Sequence, residues 1–414
     1  MEVVVRSGVL NSANNCRYAF LNEDNILIFD SLVDPDALAI GWYLNFPTKE
    51  QSNNAMETNK SNQKQYAVSA CMSNCNNFFA ACDSLCLLHL WKKSEETGHW
   101  KVLSSRELPR KAQKAIFSNS SSEIIIADRG GKVTSFSVSN HDSPGKFLLG
   151  HVSLIIDLSI SHDDKYLVTC DRDGKIRVSC YPNCYNIQSY CLGHQEFVSF
   201  VKCISLYDEF VLSSSGDGTI RLWNYLDGTQ AKSIKIFEDT ELIKECASCD
   251  NANLEFFENS GNIAITVEQF RFSVRCLKVC FKYQLFAILF YMQNGVAIYQ
   301  LPNVAEENFR FIQFIPLKSE AVDVVFDDLG NLLILQQCKE ELTLFLEYKE
   351  NEKKYLLKND YNKDLVFNIK AFYGDGEYFM DAKMDFEHLF KSSYEFSDDT
   401  ENSKTKPLSK KIKI

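Results

Sequence analysis

Apolar residues come in short runs along this chain, and polar or turn-forming residues interrupt them about every ten positions. Val3–Val5, Ile26–Phe29, Ile124–Ala127, Val211–Ser214 and Leu332–Leu335 are examples, rich in Val, Ile, Phe and Cys across the set. Runs of this length between Gly, Asp, Asn and Ser read as strands. Apolar positions three and four apart, the mark of a helix, are nearly absent before residue 380. The pattern predicts an all-β protein built from many short strands.

Two stretches repeat one another. Residues 148–180 read LLGHVSLIIDLSISHDDKYLVTCDRDGKIRVSC, and residues 191–224 read CLGHQEFVSFVKCISLYDEFVLSSSGDGTIRLWN. Gly150-His151 aligns with Gly193-His194, Asp173-Gly174 with Asp217-Gly218, and Ile176-Arg177 with Ile220-Arg221. A Gly-His opening, an Asp-Gly turn and a closing Leu-Trp-Asn resemble the WD40 repeat, one four-stranded propeller blade of about 40–45 residues. Asp-Gly between two apolar runs is a hairpin signal, because glycine accepts positive φ. The resemblance implies a structural hydrogen-bond chain through His194, Ser213, Asp217 and Trp223, which would satisfy the buried indole and imidazole. The preceding copy keeps His151, Thr169 and Asp173 but has Ser179 in place of Trp, so its chain is expected to be broken. Both histidines therefore read as structural.

Weaker copies at 66–93, 124–138, 263–301 and 320–348, with an N-terminal blade over 1–46, bring the expected total to seven. A seven-bladed WD40 β-propeller over 1–348 follows, with Glu2–Arg6 expected to add a strand to the last blade. The polar, Asn/Gln/Lys-rich stretch 47–65 is expected to be a disordered loop, and 233–261 an acidic connector. Residues 349–414 form a C-terminal extension, in which Phe379–Tyr394 can make a short helix with Phe386, Leu389 and Phe390 on one face. A basic tail ends it.

Composition narrows the function. The 414 residues are 45% apolar and 24% charged, with a net charge of −11. Length alone would suggest two or three domains; the repeats turn that into one ring. An acidic chain is poorly suited to binding nucleic acid unaided, since phosphates call for a basic surface. Fifteen cysteines without a signal-like N-terminus point to an intracellular, thiol-reduced protein. No run approaches the roughly 18 apolar residues of a membrane helix.

Chemistry is sparse. Cys71/Cys75, Cys82/Cys86, Cys180/Cys184 and Cys276/Cys280 are spaced four apart but fall mostly in strands, where cysteine packs as a small apolar residue. Cys246–Cys249 is the one CxxC that merits a metal test. Tyr373-Gly374-Asp375-Gly376-Glu377 lacks the βαβ unit of a cofactor loop and reads as a β-turn. No P-loop, HExxH or GxSxG occurs, so neither a catalytic residue nor a cofactor of the chain's own is expected. Lys175 and Arg177 share one strand face, as a solvated edge or a charged docking patch. Lys404, Lys406, Lys410, Lys411 and Lys413 read as a nuclear-localisation or RNA-contacting tail, or as a solubilising end.

The run LLGHVSLIIDLSISHDDKYLVTCDRDGKIRVS, with CLGHQEFVS and VLSSSGDGTIRLW after it and ADRGGKVTSFSV before it, resembles one family. It is the WD-repeat non-catalytic subunit of tRNA (guanine-N7-)-methyltransferase, of the Wuho type. The resemblance is strong over 124–224 and weak in the tail. It implies a propeller that binds and stabilises a separate catalytic methyltransferase subunit. That partner would hold S-adenosylmethionine and methylate a guanine in the tRNA variable loop, in the nucleus with the cytoplasm as a second location. tRNA would be met mainly through the complex, and no membrane is involved. The match also implies that Asp173, Lys175 and Arg177 dock the partner, Arg177 foremost. Gly174 stands where relatives can carry an acidic residue, so one contact is expected to be missing. A general WD40 scaffold, such as a ubiquitin-ligase substrate receptor or a chromatin adaptor, is the alternative.

Overall fold

The computed structural model describes residues 8–9, 17–21, 25–30, 41–47, 65–204, 209–247, 271–291, 293–302, 308–327, 329–337 and 341–358. These residues form seven four-stranded antiparallel sheets, each built from four consecutive strands. The first blade is β1 (Gly8–Val9), β2 (Arg17–Leu21), β3 (Asn25–Asp30) and β4 (Gly41–Asn45), and the second is β5 (Ala67–Met72), β6 (Phe78–Asp83), β7 (Leu87–Lys93) and β8 (Trp100–Glu107). The third holds β9 (Ala112–Phe117), β10 (Glu123–Asp128), β11 (Lys132–Ser137) and β12 (Lys146–Gly150). In the fourth are β13 (Ile155–Ile160), β14 (Tyr166–Asp171), β15 (Lys175–Cys180) and β16 (Ile187–Leu192), and in the fifth β17 (Val198–Cys203), β18 (Phe210–Ser215), β19 (Thr219–Asn224) and β20 (Gln230–Lys235). The sixth comprises β21 (Val274–Cys280), β22 (Leu285–Phe290), β23 (Gly295–Gln300) and β24 (Arg310–Pro316), the seventh β25 (Ala321–Phe326), β26 (Leu332–Gln336), β27 (Thr343–Lys349) and β28 (Lys354–Leu357). This is a β-propeller.

The first strand of each blade is the one that meets its neighbours: β5 lies against β9, β9 against β13, β13 against β17, β17 against β21 and β21 against β25. Polar side chains stitch these inner strands together. Ser69 Oγ accepts from the Ala115 N–H at 3.0 Å, Asp157 Oδ2 from the Val201 N–H at 3.2 Å, and Ser159 Oγ from the Cys203 N–H at 3.1 Å. Lys114 pairs with Asp157 at 3.0 Å. The second strands of blades two to seven are buried on both faces, and apolar clusters fill the spaces between blades.

Three boundaries differ from the sequence expectation. The last blade runs past 348 to Leu357 and takes all four strands from its own segment, while β1 pairs within the first blade and approaches β25. Glu2–Arg6 lies outside the described residues. Residues 233–235 finish β20, and the connector then turns into a helix, α1 (Thr240–Ala247), that packs on β24. Its pattern TELIKECA puts Leu242 and Cys246 one turn apart on the buried side. Most of the 47–65 loop, the 379–394 segment and the whole basic tail lie outside the described residues.

Most of the described cysteines are buried packing residues. Burial pushes the Cys184 and Cys191 thiols up to about 12 and Cys203 up to about 11, which keeps them as inert thiols. Cys246 is buried on α1; Cys249 lies outside the described residues. Among the described residues no three His, Cys, Asp or Glu side chains are gathered to hold a metal ion.

Candidate functional site

Blades four and five carry the polar residues singled out by the repeat. In blade five the Trp223 indole N–H donates to Ser213 Oγ at 2.8 Å, Ser213 Oγ lies 2.8 Å from His194 Nε2, and His194 Nδ1 lies 3.1 Å from Asp217 Oδ2. Asp217 Oδ1 also accepts the Thr219 N–H at 2.9 Å and the Thr219 hydroxyl at 2.7 Å. The Asp217 carboxylate can only accept, so the imidazole proton sits on Nδ1 facing it, and Nε2 accepts the Ser213 hydroxyl. All four side chains are buried and partnered, which is the condition for burying them at all. Burial lowers the His194 pKa from its ordinary value, against the pull of Asp217. Burial opposes ionisation of Asp217 too, but the hydrogen bonds from His194, Thr219 and the Gln195 N–H outweigh it and hold the carboxyl well below the usual range. The pair is a neutral imidazole donating to a carboxylate. Gly218, at φ 72°, closes the turn.

Blade four is wired differently. His151 Nε2 meets Thr169 Oγ1 at 2.8 Å, but Nδ1 meets Asp171 Oδ2 at 2.9 Å, not Asp173. Asp171 Oδ1 accepts the N–H groups of Asp173 and Lys175, both at 3.0 Å. Alignment with Asp217 puts Asp173 in this position, but its carboxylate accepts from Ser153 Oγ at 2.9 Å. The reason is local. Asp171 closes β14, where a short carboxylate reaches the free N–H groups of the turn, as aspartate does in an Asx-turn. Asp128 does the same for Gly130 and Lys132, and Asp83 for Leu85 and Leu87. Blade five has Ser215 at this point, and Asp217 takes over. The recurring aspartate at the end of the second strand was visible in the sequence as the signal that identifies Asp171.

Lys175 and Arg177 lie two residues apart on one face of β15, while Asp173 stands in the turn before it, tied to Ser153. Lys175 is exposed and Asp173 half-buried. Arg177 is no free surface cation. Its Nε donates to Ser179 Oγ at 2.9 Å, Nη2 to the Cys184 carbonyl at 2.8 Å and Nη1 to the Gly150 carbonyl at 3.3 Å. Ser179 occupies the strand position that Trp223 holds in blade five, so the guanidinium fills room that an indole would need. Arg221, the counterpart in blade five, is held too: its Nε donates to Thr219 Oγ1 at 3.2 Å and Nη1 to Gln230 Oε1 at 2.9 Å, and it lies over the Trp223 ring at 5.7 Å. The candidate tail residues Lys404, Lys406, Lys410, Lys411 and Lys413 lie outside the described residues.

The likeness to a known family covers these two blades and runs on to the end of blade seven. The pattern of the tRNA methyltransferase TRM82 WD40 domain matches residues 139–357. The chain belongs to that family. It is 32% identical over 274 residues to the tRNA (guanine-N(7)-)-methyltransferase non-catalytic subunit WDR4 of Mus musculus, across 66% of this chain and 60% of that protein. With the Homo sapiens protein of the same name it is 31% identical over 307 residues, covering 74% and 68%. The Culex quinquefasciatus non-catalytic subunit wuho is 31% identical over 249 residues, covering 59% and 53%. The matched part thus spans less than two thirds of the mouse protein's length. Among solved structures, the WD40 β-propeller domain of Doa1 superposes with a TM-score of 0.55 at 12% identity, covering 85% of this chain and 96% of that one. At that identity the likeness is one of fold.

Proposed function

We propose that this protein is the non-catalytic WD-repeat subunit of a tRNA guanine-N7 methyltransferase complex. It binds the catalytic subunit through the outer part of blade four and does no chemistry itself. The observation that carries this reading is that the family match covers blade four, where Lys175 and Arg177 share a face with the guanidinium held at three points. A cation held in one orientation loses little side-chain freedom on meeting a carboxylate, and a fixed fork suits that geometry. Asp171 holds the turn that presents Lys175, and Asp173 in that turn is tied to Ser153. By binding only the folded, active form of its partner, the propeller would stabilise that form. S-adenosylmethionine would sit on the partner, and the variable-loop guanine would be reached through the complex. The net charge of −11 leaves most phosphate contacts to the catalytic subunit, with the C-terminal lysines as a local addition. Nuclear residence follows the same reading.

The test is loss of the gene, with N7-methylguanosine measured in bulk tRNA. A fall is expected on loss, restored by the wild-type chain and poorly by Arg177→Leu, which should weaken assembly by about 2–5 kcal/mol. Unchanged N7-methylguanosine on loss of the gene would refute the reading. Recovery of ubiquitin-ligase or chromatin components alone from a pull-down would favour a general scaffold.

A further inference from the structure

The outer strands of the blades differ in what their corresponding positions carry. On blade four, Leu192 stands opposite Lys175, Tyr190 opposite Arg177 and Ile187 opposite Ser179, so all six share one face. On blade five the matching outer-strand residues are Lys235, Ser233 and Gln230, a face made for water. On blade six they are Pro316, Phe314 and Phe311, and there the two phenylalanines are covered. Helix α1 lies on β24, with Leu242 and Cys246 in the same buried cluster as Phe311 and Phe314. Glu245 of that helix accepts the Phe314 backbone N–H at 2.7 Å. Phe311 and Phe314 are 8% and 7% exposed, whereas Ile187, Tyr190 and Leu192 are 45%, 42% and 60% exposed. Blade four thus presents an apolar row of the kind that blade six buries under a helix, bordered by a lysine and an arginine that blade six lacks at these positions.

We infer that the Ile187–Tyr190–Leu192 face of β16 is the seat of an amphipathic helix from the catalytic subunit. That helix carries an apolar stripe flanked by Asp or Glu, and it lies across β16 as α1 lies across β24. The inference rests on the proposed function and deepens it, since the face is continuous with Lys175 and Arg177. Opposite charge and a bared apolar row together select the occupant: the row supplies affinity by leaving water, and the two cations set register and reject a basic helix.

Full-length variants separate the two ideas. Leu192→Asp and Tyr190→Asp change exposed side chains, so melting should stay at the wild-type temperature. Their affinity for the purified catalytic subunit, measured by biolayer interferometry, should fall by about tenfold or more, as at interface anchors. Ser233→Asp at the matching place on blade five should bind as wild type does. If both β16 variants bind like wild type while Arg177→Leu weakens binding, the helix seat is refuted and the proposed function stands. If the wild-type chain does not bind the subunit, the proposed function itself fails. The chain's own segment 379–394, which also combines apolar and acidic residues, is the competing occupant. Hydrogen exchange of the β16 amides in the free chain should be unchanged by Phe386→Asp; faster exchange would place that segment on the face and overturn the inference.

Discussion

Blades four and five descend from the same sequence pattern and bury the same histidine, yet they spend their polar residues differently. In blade five the chain from Trp223 through Ser213 and His194 to Asp217 is complete, and the cation Arg221 lies on the outside of it. In blade four the indole is missing, Asp171 serves both the histidine and the turn, and Arg177 reaches into the vacated room to hold Ser179 and two carbonyls. One blade uses its polar residues to close its core. Both orient an arginine at the edge, but in blade four it stands where the other blade has its indole. The difference shows how a repeat can give up one buried side chain and fill its place with a hydrogen-bonded cation.

Three measurements would break or sharpen that contrast. The largest effect belongs to the indole. Trp223→Ala should destabilise the propeller by about 3–5 kcal/mol in chemical denaturation, because it opens a large cavity and strips Ser213 of a donor. Ser179→Ala at the same strand position should cost only about 1 kcal/mol, the worth of one hydrogen bond. Equal losses would mean that the two blades are built alike.

The second contrast lies within blade four. Asp171→Ala leaves His151 and two turn N–H groups unpaired and should cost about 2–3 kcal/mol. Asp173→Ala removes one bond to Ser153 and should stay near 1 kcal/mol or below. A larger loss for Asp173 would return it to the position assigned by alignment.

The smallest effect is the pH response. His194 has a folded-state pKa below its ordinary value of 6.5, so the unfolded chain binds its proton first. Stability from this group is therefore complete above pH 6.5 and drains as the pH falls below it. Asp217, also lowered in the folded state, adds a second loss of the same sign as the pH drops below its ordinary 3.8. Thermal melts of His194→Gln should be less stable at neutral pH but lose less on going below pH 6.5 than wild type does. A wild-type melt that is flat over that window would contradict the neutral buried imidazole.

Much of this architecture was legible in the residues. The spacing of Gly150-His151 and Gly193-His194 defined the blade, and the short apolar runs marked the strands. The seven sheets follow from repeating that unit around a ring. The wiring inside each blade was less legible. Asp173 and Asp171 are two residues apart in one turn, and alignment on the Asp-Gly pair favours the wrong one. The choice depends on which carboxylate can reach an imidazole twenty positions earlier, a distance that strand patterns do not contain. The same holds for α1. In the sequence it reads only as a connector, because an eight-residue helix leaves a weak periodic signal and owes its stability to the strand it covers.

What the sequence determined by itself is the alternation of buried and exposed positions, the length of the repeat and the turns between strands, all set by interactions between near neighbours. What only the tertiary structure decided is partnership. Asp171 receives His151, Arg177 settles beside Ser179, and the apolar row of β24 is covered while that of β16 is open. Those outcomes depend on which surfaces the closed ring brings within hydrogen-bond or contact distance, and packing sets that.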